Sequence, residues 1–229
     1  MQRQNEAEIL DGDDVPFGQA TRAYRQLARI HRLIGDTAFV VRAIRRDALP
    51  VCRILDIGCA AGLVAEDVQC KLRVEVIGID LNPRKPPEVR VPIVRADAVH
   101  DPLPCADVAF SMHLGHHLTE SDLINLIGNV GRYCRRFILL DVVRHPLPLG
   151  LFRLFVEPFA SEIVTEDGKT SFRRSYTAGE LNQITASALA GSKATFRQSV
   201  GPFYLRQVVD ISYYGQPTFM PKSALSGNL

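Results

Sequence analysis

The chain has no Cys-x-x-Cys pair, no apolar run near the roughly 20 residues that cross a bilayer, no internal repeat and little net charge. Each absence removes a class of protein. The five cysteines, Cys52, Cys59, Cys70, Cys105 and Cys134, share no regular spacing, and none stands at zinc spacing from a histidine. They read as reduced thiols of a cytosolic protein, and no metal site is expected. A formal net charge of +2 over 229 residues, with the arginines scattered, lacks the clustered basic face of a nucleic-acid binder. The start, MQRQNEAEILDGDD, is polar and acidic, unlike a signal peptide. The expectation is a soluble cytoplasmic protein that touches neither membrane nor nucleic acid, acts on a small molecule, and is a monomer or homodimer.

What is present is globular in composition, with 46% apolar and 23% charged residues. Residues 1–15 read as frayed. GQATRAYRQLARIHRLIGDTAFVVRAIRR then predicts two helices. Tyr24, Leu27, Ile30 and Leu33 fall at helical spacing, and Gly35 and Asp36 break the pattern, with Asp36 as N-cap. From residue 51 short apolar runs (VCRILDI, VEVIGID, VPIVRAD, ADVAFSM, RRFILLDVV) alternate with helical stretches. That alternation predicts a parallel α/β sheet with helices on both faces. Residues 146–176 interrupt the rhythm with Pro–apolar steps, an aromatic-rich helix and a turn at EDGK. TAGE, residues 177–180, is a capping box, KATFRQS and FYLRQVVDISYY are closing strands, and 216–229 is a loose tail.

The most informative stretch is CRILDIGCAAGLVAEDV, residues 52–68. An apolar strand ends in Asp56, turns through Gly58, Ala60 and Gly62, and enters a helix. Such a unit brings backbone N–H groups close to a ligand, and glycine lets the ligand approach. Asp80 ends the next apolar strand, where a carboxylate can hold a ribose diol. Asp97 ends the third, where it can accept from an exocyclic amine. The dinucleotide fingerprint GxGxxG does not fit, because the last glycine comes too early and Asp56 would repel a pyrophosphate.

ILDIGCAAG, VIGIDLNP, VRADAVHDPLP and ADVAFSMHLGHHL, in that order, resemble the motifs of class I S-adenosylmethionine-dependent methyltransferases. The resemblance spans about residues 50–215. More finely, it is to small bacterial members that methylate polyketide or quinone-like natural products. It implies a Rossmann-like fold: a seven-stranded, mostly parallel sheet with an N-terminal helical lid over residues 1–49 and a substrate-cap insertion at about 146–176. It also implies S-adenosyl-L-methionine as cofactor. Asp56, Gly58 and Gly62 would line its methionine end, Asp80 its ribose, with Leu81 against the adenine. Asp97 and Ala98 would meet the adenine amine, and Ser111 and Met112 would flank the reacting methyl. Ala60 stands where the family has glycine, which is tolerable if its φ stays negative.

For the acceptor, HLGHH places His113, His116 and His117 just past the fourth strand. A hydroxyl acceptor needs a base, and His117, then His113, are the candidates. Arg144 and Asp141 would orient the acceptor, with His145 beside them after the fifth strand. Tyr24 and His31 would form a lid with Tyr176 and Phe152, Phe155, Phe159 and Phe172, suiting an aromatic or polyketide-like acceptor. The Asn-Pro-Pro-aromatic tetrapeptide of amine methylation is absent, SMHL standing in its place. The expected reaction is O-methylation of a natural product. The alternatives are C-methylation of an electron-rich ring and a non-catalytic cofactor-binding partner protein.

Overall fold

In a computed structural model, residues 1–12 and 14–215 are described; the expected tail at 216–229 lies outside them. Among the described residues seven strands form one sheet: β1 (Arg53–Ile57), β2 (Glu75–Asp80), β3 (Ile93–Arg95), β4 (Ala106–Met112), β5 (Cys134–Asp141), β6 (Ala194–Val200) and β7 (Gln207–Tyr213). Their order is β3-β2-β1-β4-β5-β7-β6. The β1–β2, β1–β4, β2–β3 and β4–β5 pairs are parallel, and β7 runs antiparallel to both its neighbours. The chain therefore reverses its direction of travel across the sheet at β1, leaving a crevice at the carboxyl ends of β1 and β4, where open α/β sheets bind ligands.

Period-two alternation assigns the two faces of the sheet. Leu55 and Ile57 of β1 face one core with Leu123, Leu126, Ile127 and Val130 of α4 (Glu120–Tyr133) and Leu181 and Ile184 of α7 (Ala178–Ala188). Ile54 faces the other, with Val40, Val41 and Ile44 of α2 (Asp36–Arg45) and Ala65 and Val68 of α3 (Leu63–Leu72). Among the described residues no helix is long and apolar enough to cross a membrane. The capping box forms as expected: the Thr177 hydroxyl accepts from the Glu180 N–H, and Glu180 accepts from the Thr177 N–H.

Four local expectations are corrected. Asp36 is not an N-cap; Gly35 takes that place with φ +83°, and Asp36 opens α2 fully buried. EDGK is no turn, because α6 (Glu162–Arg174) runs through it, and Gly168 is needed there since a Cβ would collide with the Phe152 ring of α5 (Pro146–Phe155). β3 stops at Arg95, so Asp97 lies beyond its end. Residues 1–12 are not frayed but form a strap across the crevice. Arg3 donates to the Arg174 and Leu118 carbonyls, and the Ile9 and Leu10 N–H groups donate to Asp167.

Candidate active site

A cavity of about 590 Å³ opens at the carboxyl ends of β1, β2 and β4. Its roof is α1 (Phe17–Leu33), α6 and the strap, which contribute Tyr24, His31, Phe172 and Glu8. Of the expected residues it brings together Asp56, Gly58, Asp80, Leu81, Asp97, Ala98, Met112, His113, His117, Tyr24 and His31.

The floor is the loop after β1. Gly58 and Gly62 have φ of +75° and +74°. A Cβ on Gly58 would lie 3.0 Å from Leu114, and one on Gly62 2.8 Å from Ile93, so both space and conformation require glycine. Ala60 also has a positive φ, +48°, so the condition of a negative φ under which its methyl group would sit easily is not met. Its N–H donates to Asp80 Oδ2 at 2.7 Å, while the Asn82 N–H donates to Oδ1 at 2.8 Å. Asp80 thus fixes the loop as well as facing the cavity. Asp97 accepts from the Val99 N–H and pairs with His100, which lowers its pKa. Leu81 is 65% exposed, an apolar side chain with a free face beside the cavity.

Asp56 differs from the other acids. It is 2% exposed and its Oδ2 has no hydrogen-bond partner among the described residues. Burial, then the nearby Asp80, pushes its pKa up to about 8. A cation entering the cavity would restore its charge.

The histidines form a network with acids. His31 and His113 stack with centroids 4.4 Å apart, and both face Asp36: His113 Nε2 at 3.1 Å and His31 Nδ1 at 3.4 Å. Arg206 Nη1 holds the other Asp36 oxygen at 2.6 Å. Burial and the neighbouring His113 lower the His31 pKa. His116 is buried between Asp141 at 2.7 Å and Glu8 at 3.1 Å. Burial alone would lower its pKa, but Asp141 and Glu8 raise it to about 10. His117 sits with Nδ1 3.0 Å from Asp11 and Nε2 3.7 Å from Glu8.

Several expected residues lie elsewhere. Ser111 is buried in β4, outside the cavity lining, and its hydroxyl has no partner among the described residues. Arg144 does not meet an acceptor; its guanidinium turns away to the Glu180 carboxylate and the Ser175 and Met1 carbonyls. His145 caps α5, accepting from the Leu147 N–H, and stacks on Tyr204 at 4.4 Å. Tyr176 is 2% exposed, donates to the Leu118 carbonyl, and lies under Arg3. Of the insertion's phenylalanines only Phe152 and Phe172 line the cavity; Phe155 and Phe159 are 64% and 83% exposed. Sequence reasoning missed Glu8, Asp11, Asp36 as an acid partner, Asp167 and Ser171. Asp167 and Ser171 stand one helical turn apart, a spacing that puts both on the face α6 turns to the strap.

No protein-family model matches the chain, and no curated protein matches it in sequence. Solved structures do match in three dimensions. The plantazolicin methyltransferase BpumL in complex with SAH superposes with a TM-score of 0.66 at 13% identity, over 89% of this chain and 92% of that one. The magnesium protoporphyrin IX methyltransferase (ChlM) from Synechocystis PCC 6803 with bound SAH gives 0.51 at 15% identity, over 89% and 90%. The S-adenosylmethionine-dependent methyltransferase SibL in its apo form gives 0.57 at 16%, over 87% and 60%. The chain has the class I methyltransferase fold, as its motifs implied.

Proposed function

We propose that the chain transfers a methyl group from S-adenosyl-L-methionine to a small-molecule acceptor, a hydroxyl of an aromatic or polyketide-like natural product. The observation that carries the reading is Asp56, a buried carboxyl with an unsatisfied oxygen at the floor of the cavity. A cofactor with an ammonium group and a sulfonium supplies what that oxygen lacks. Gly58 and the loop would take its methionine end, Asp80 its ribose, and Leu81, Asp97 and Ala98 its adenine. The neighbours crystallised with SAH have the same fold.

When bound, the cofactor supplies an already activated methyl group. The chain's own residues then have to orient the acceptor, exclude water and take a proton. Met112, Phe152 and Phe172 give the cavity apolar walls for a ring. His113 is the better base of the two candidates, reversing the order expected from sequence. Its Nε2 is held on Asp36, while among the described residues its Nδ1 has only the more distant Asp141 oxygen at 3.8 Å. His117 has both ring nitrogens turned to strap carboxylates.

Calorimetric titration with S-adenosylhomocysteine, beside Asp80→Ala, tests the cofactor reading. Wild type binds, and the variant loses about 10- to 100-fold, or roughly 1.4–2.8 kcal/mol. Absence of binding by wild type sinks the proposal. With an acceptor in hand, His113→Asn lowers kcat by about 100-fold or more if a hydroxyl proton is removed there. Product NMR distinguishes oxygen from carbon as the site of methylation. Binding without turnover across a broad acceptor panel would favour the partner-protein reading.

A further inference from the structure

His116 and His117 each commit one ring nitrogen to a carboxylate and point the other at the same third carboxylate. His116 Nδ1 lies 2.7 Å from Asp141 Oδ1, and the His116 backbone N–H donates to Asp141 Oδ2 at 2.8 Å. Gly115 makes this approach possible, since a Cβ there would stand 2.8 Å from Asp141 Oδ2. His117 Nδ1 lies 3.0 Å from Asp11 Oδ1. With Nδ1 committed to a carboxylate in both rings, the two Nε2 atoms are left to hold a proton or a metal ion. They face Glu8: His116 Nε2 is 3.1 Å from Oε1 and His117 Nε2 is 3.7 Å from Oε2.

Without a metal, a proton on His116 Nε2 bridges to Glu8 Oε1, which also accepts from the Ser171 hydroxyl at 2.6 Å, and His117 Nε2 is left farther off. Separate protons on both rings would place two imidazolium ions with centroids only 4.3 Å apart. One divalent ion satisfies both nitrogens and the carboxylate together. The chosen atoms of Glu8, His116 and His117 lie within 4.8 Å of one another. Metal–nitrogen and metal–oxygen bonds of about 2.0–2.2 Å in a tetrahedron put ligand atoms about 3.3–3.5 Å apart, and the two measured separations bracket that value. Carboxylates behind both imidazoles are the outer shell that fixes tautomer and orientation in metal sites. Arg174 Nη1 pairs with Asp11 at 2.9 Å, so once a metal takes the place of the ring protons, Glu8 and Asp141 leave two negative charges for a dication to balance. The second His–acid group, His31, Asp36 and His113, suits a metal less well, because the Arg206 cation already holds Asp36.

We propose that Glu8, His116 and His117 bind a divalent first-row transition ion, with Zn²⁺ the best match to two imidazoles and one carboxylate. The ion joins the strap, through Glu8, to the loop after β4. Three protein ligands leave a tetrahedral ion one further position for water, and all three residues line the cavity. Spacing rules for zinc read only local runs, and Glu8 lies 108 residues before His116, so no motif marks this cluster. The site stands independently of the methyl-transfer reading.

The test is a Zn²⁺ titration of the chelator-treated full chain by calorimetry, with Mg²⁺ in parallel and no cofactor present. One equivalent of Zn²⁺ binds, Mg²⁺ binds far more weakly, and Glu8→Gln lowers Zn²⁺ affinity by about 100-fold. His117→Gln does the same, which carries the test if the first variant is unfolded by circular dichroism. Hydrogen exchange in residues 1–12 slows when Zn²⁺ is added to wild type. Less than one equivalent bound, equal affinity for Mg²⁺, or variants that bind like wild type overturns the proposal. S-adenosylhomocysteine binding, titrated separately, reports on the cofactor reading alone.

Discussion

Asp56 holds its proton in the folded chain at neutral pH, because burial and the neighbouring Asp80 lift its pKa to about 8. In the unfolded chain it would titrate at about 3.9. Between those values the folded state binds a proton that the unfolded state has lost. This group therefore makes stability fall as pH rises from about 4 to about 8, and contributes no slope below both. Asp56→Asn flattens that part of the profile, as denaturant unfolding at about pH 5 and about pH 8 would show against wild type. Binding of a cationic ligand near pH 7 expels the proton, so calorimetry in buffers of different ionisation enthalpy reads a release approaching one proton. Ala60 is the other residue out of the ordinary. Its φ of +48° is uncomfortable for a side chain with a Cβ. Ala60→Gly relieves that strain, and thermal unfolding should show a gain of about 0.5–1 kcal/mol net of glycine's entropy cost.

Elements carry a different kind of constraint. α5 and α6 meet where the Phe152 ring covers Gly168, so Gly168→Ala must displace that ring or part the two helices. The expected loss is about 1–3 kcal/mol by denaturant unfolding, and Phe152 and Phe172 shift with it in the cavity wall. This junction also shows why EDGK looked like a turn. Gly and Asp inside a helix run against local propensity, and the compensating ring contact is tertiary. The strands were legible for the opposite reason. β1, β2 and β4 are short apolar runs whose ends are marked by Asp56, Asp80 and the His113 turn, and alternation alone gives their faces. Arg144, His145 and Tyr176 sit near a ligand edge in sequence, but strand ends do not reveal which way a side chain turns. Glu180, Tyr204 and the Leu118 carbonyl are their partners, and each comes from another element.

For the whole molecule, the strap and the C-terminal hairpin are the longest reaches of the chain. The strap holds on by polar contacts such as Arg3 to Arg174, 171 residues away, and Ser171 to Glu8, 163 residues away. No periodic apolar pattern announces such contacts, which is why residues 1–15 read as frayed. Because the strap adds little to the apolar core, Arg3→Ala should shift thermal unfolding by no more than a few degrees. It should nonetheless speed S-adenosylhomocysteine dissociation several-fold in a stopped-flow displacement experiment, since Arg3 ties the strap over the crevice.

The place of β7, inserted between β5 and β6, matters before the sheet exists. β5 presents buried Phe137, Ile138, Leu139 and Leu140, and one of its backbone edges is completed only by β7. Arg136 and its partner Asp210 are 74 residues apart. While a ribosome is still making the stretch between them, that apolar edge is an open template for any strand nearby. A nascent chain halted short of β7 would thus be a natural client for a chaperone, and release of the last strand would be the event that makes the protein safe from its neighbours.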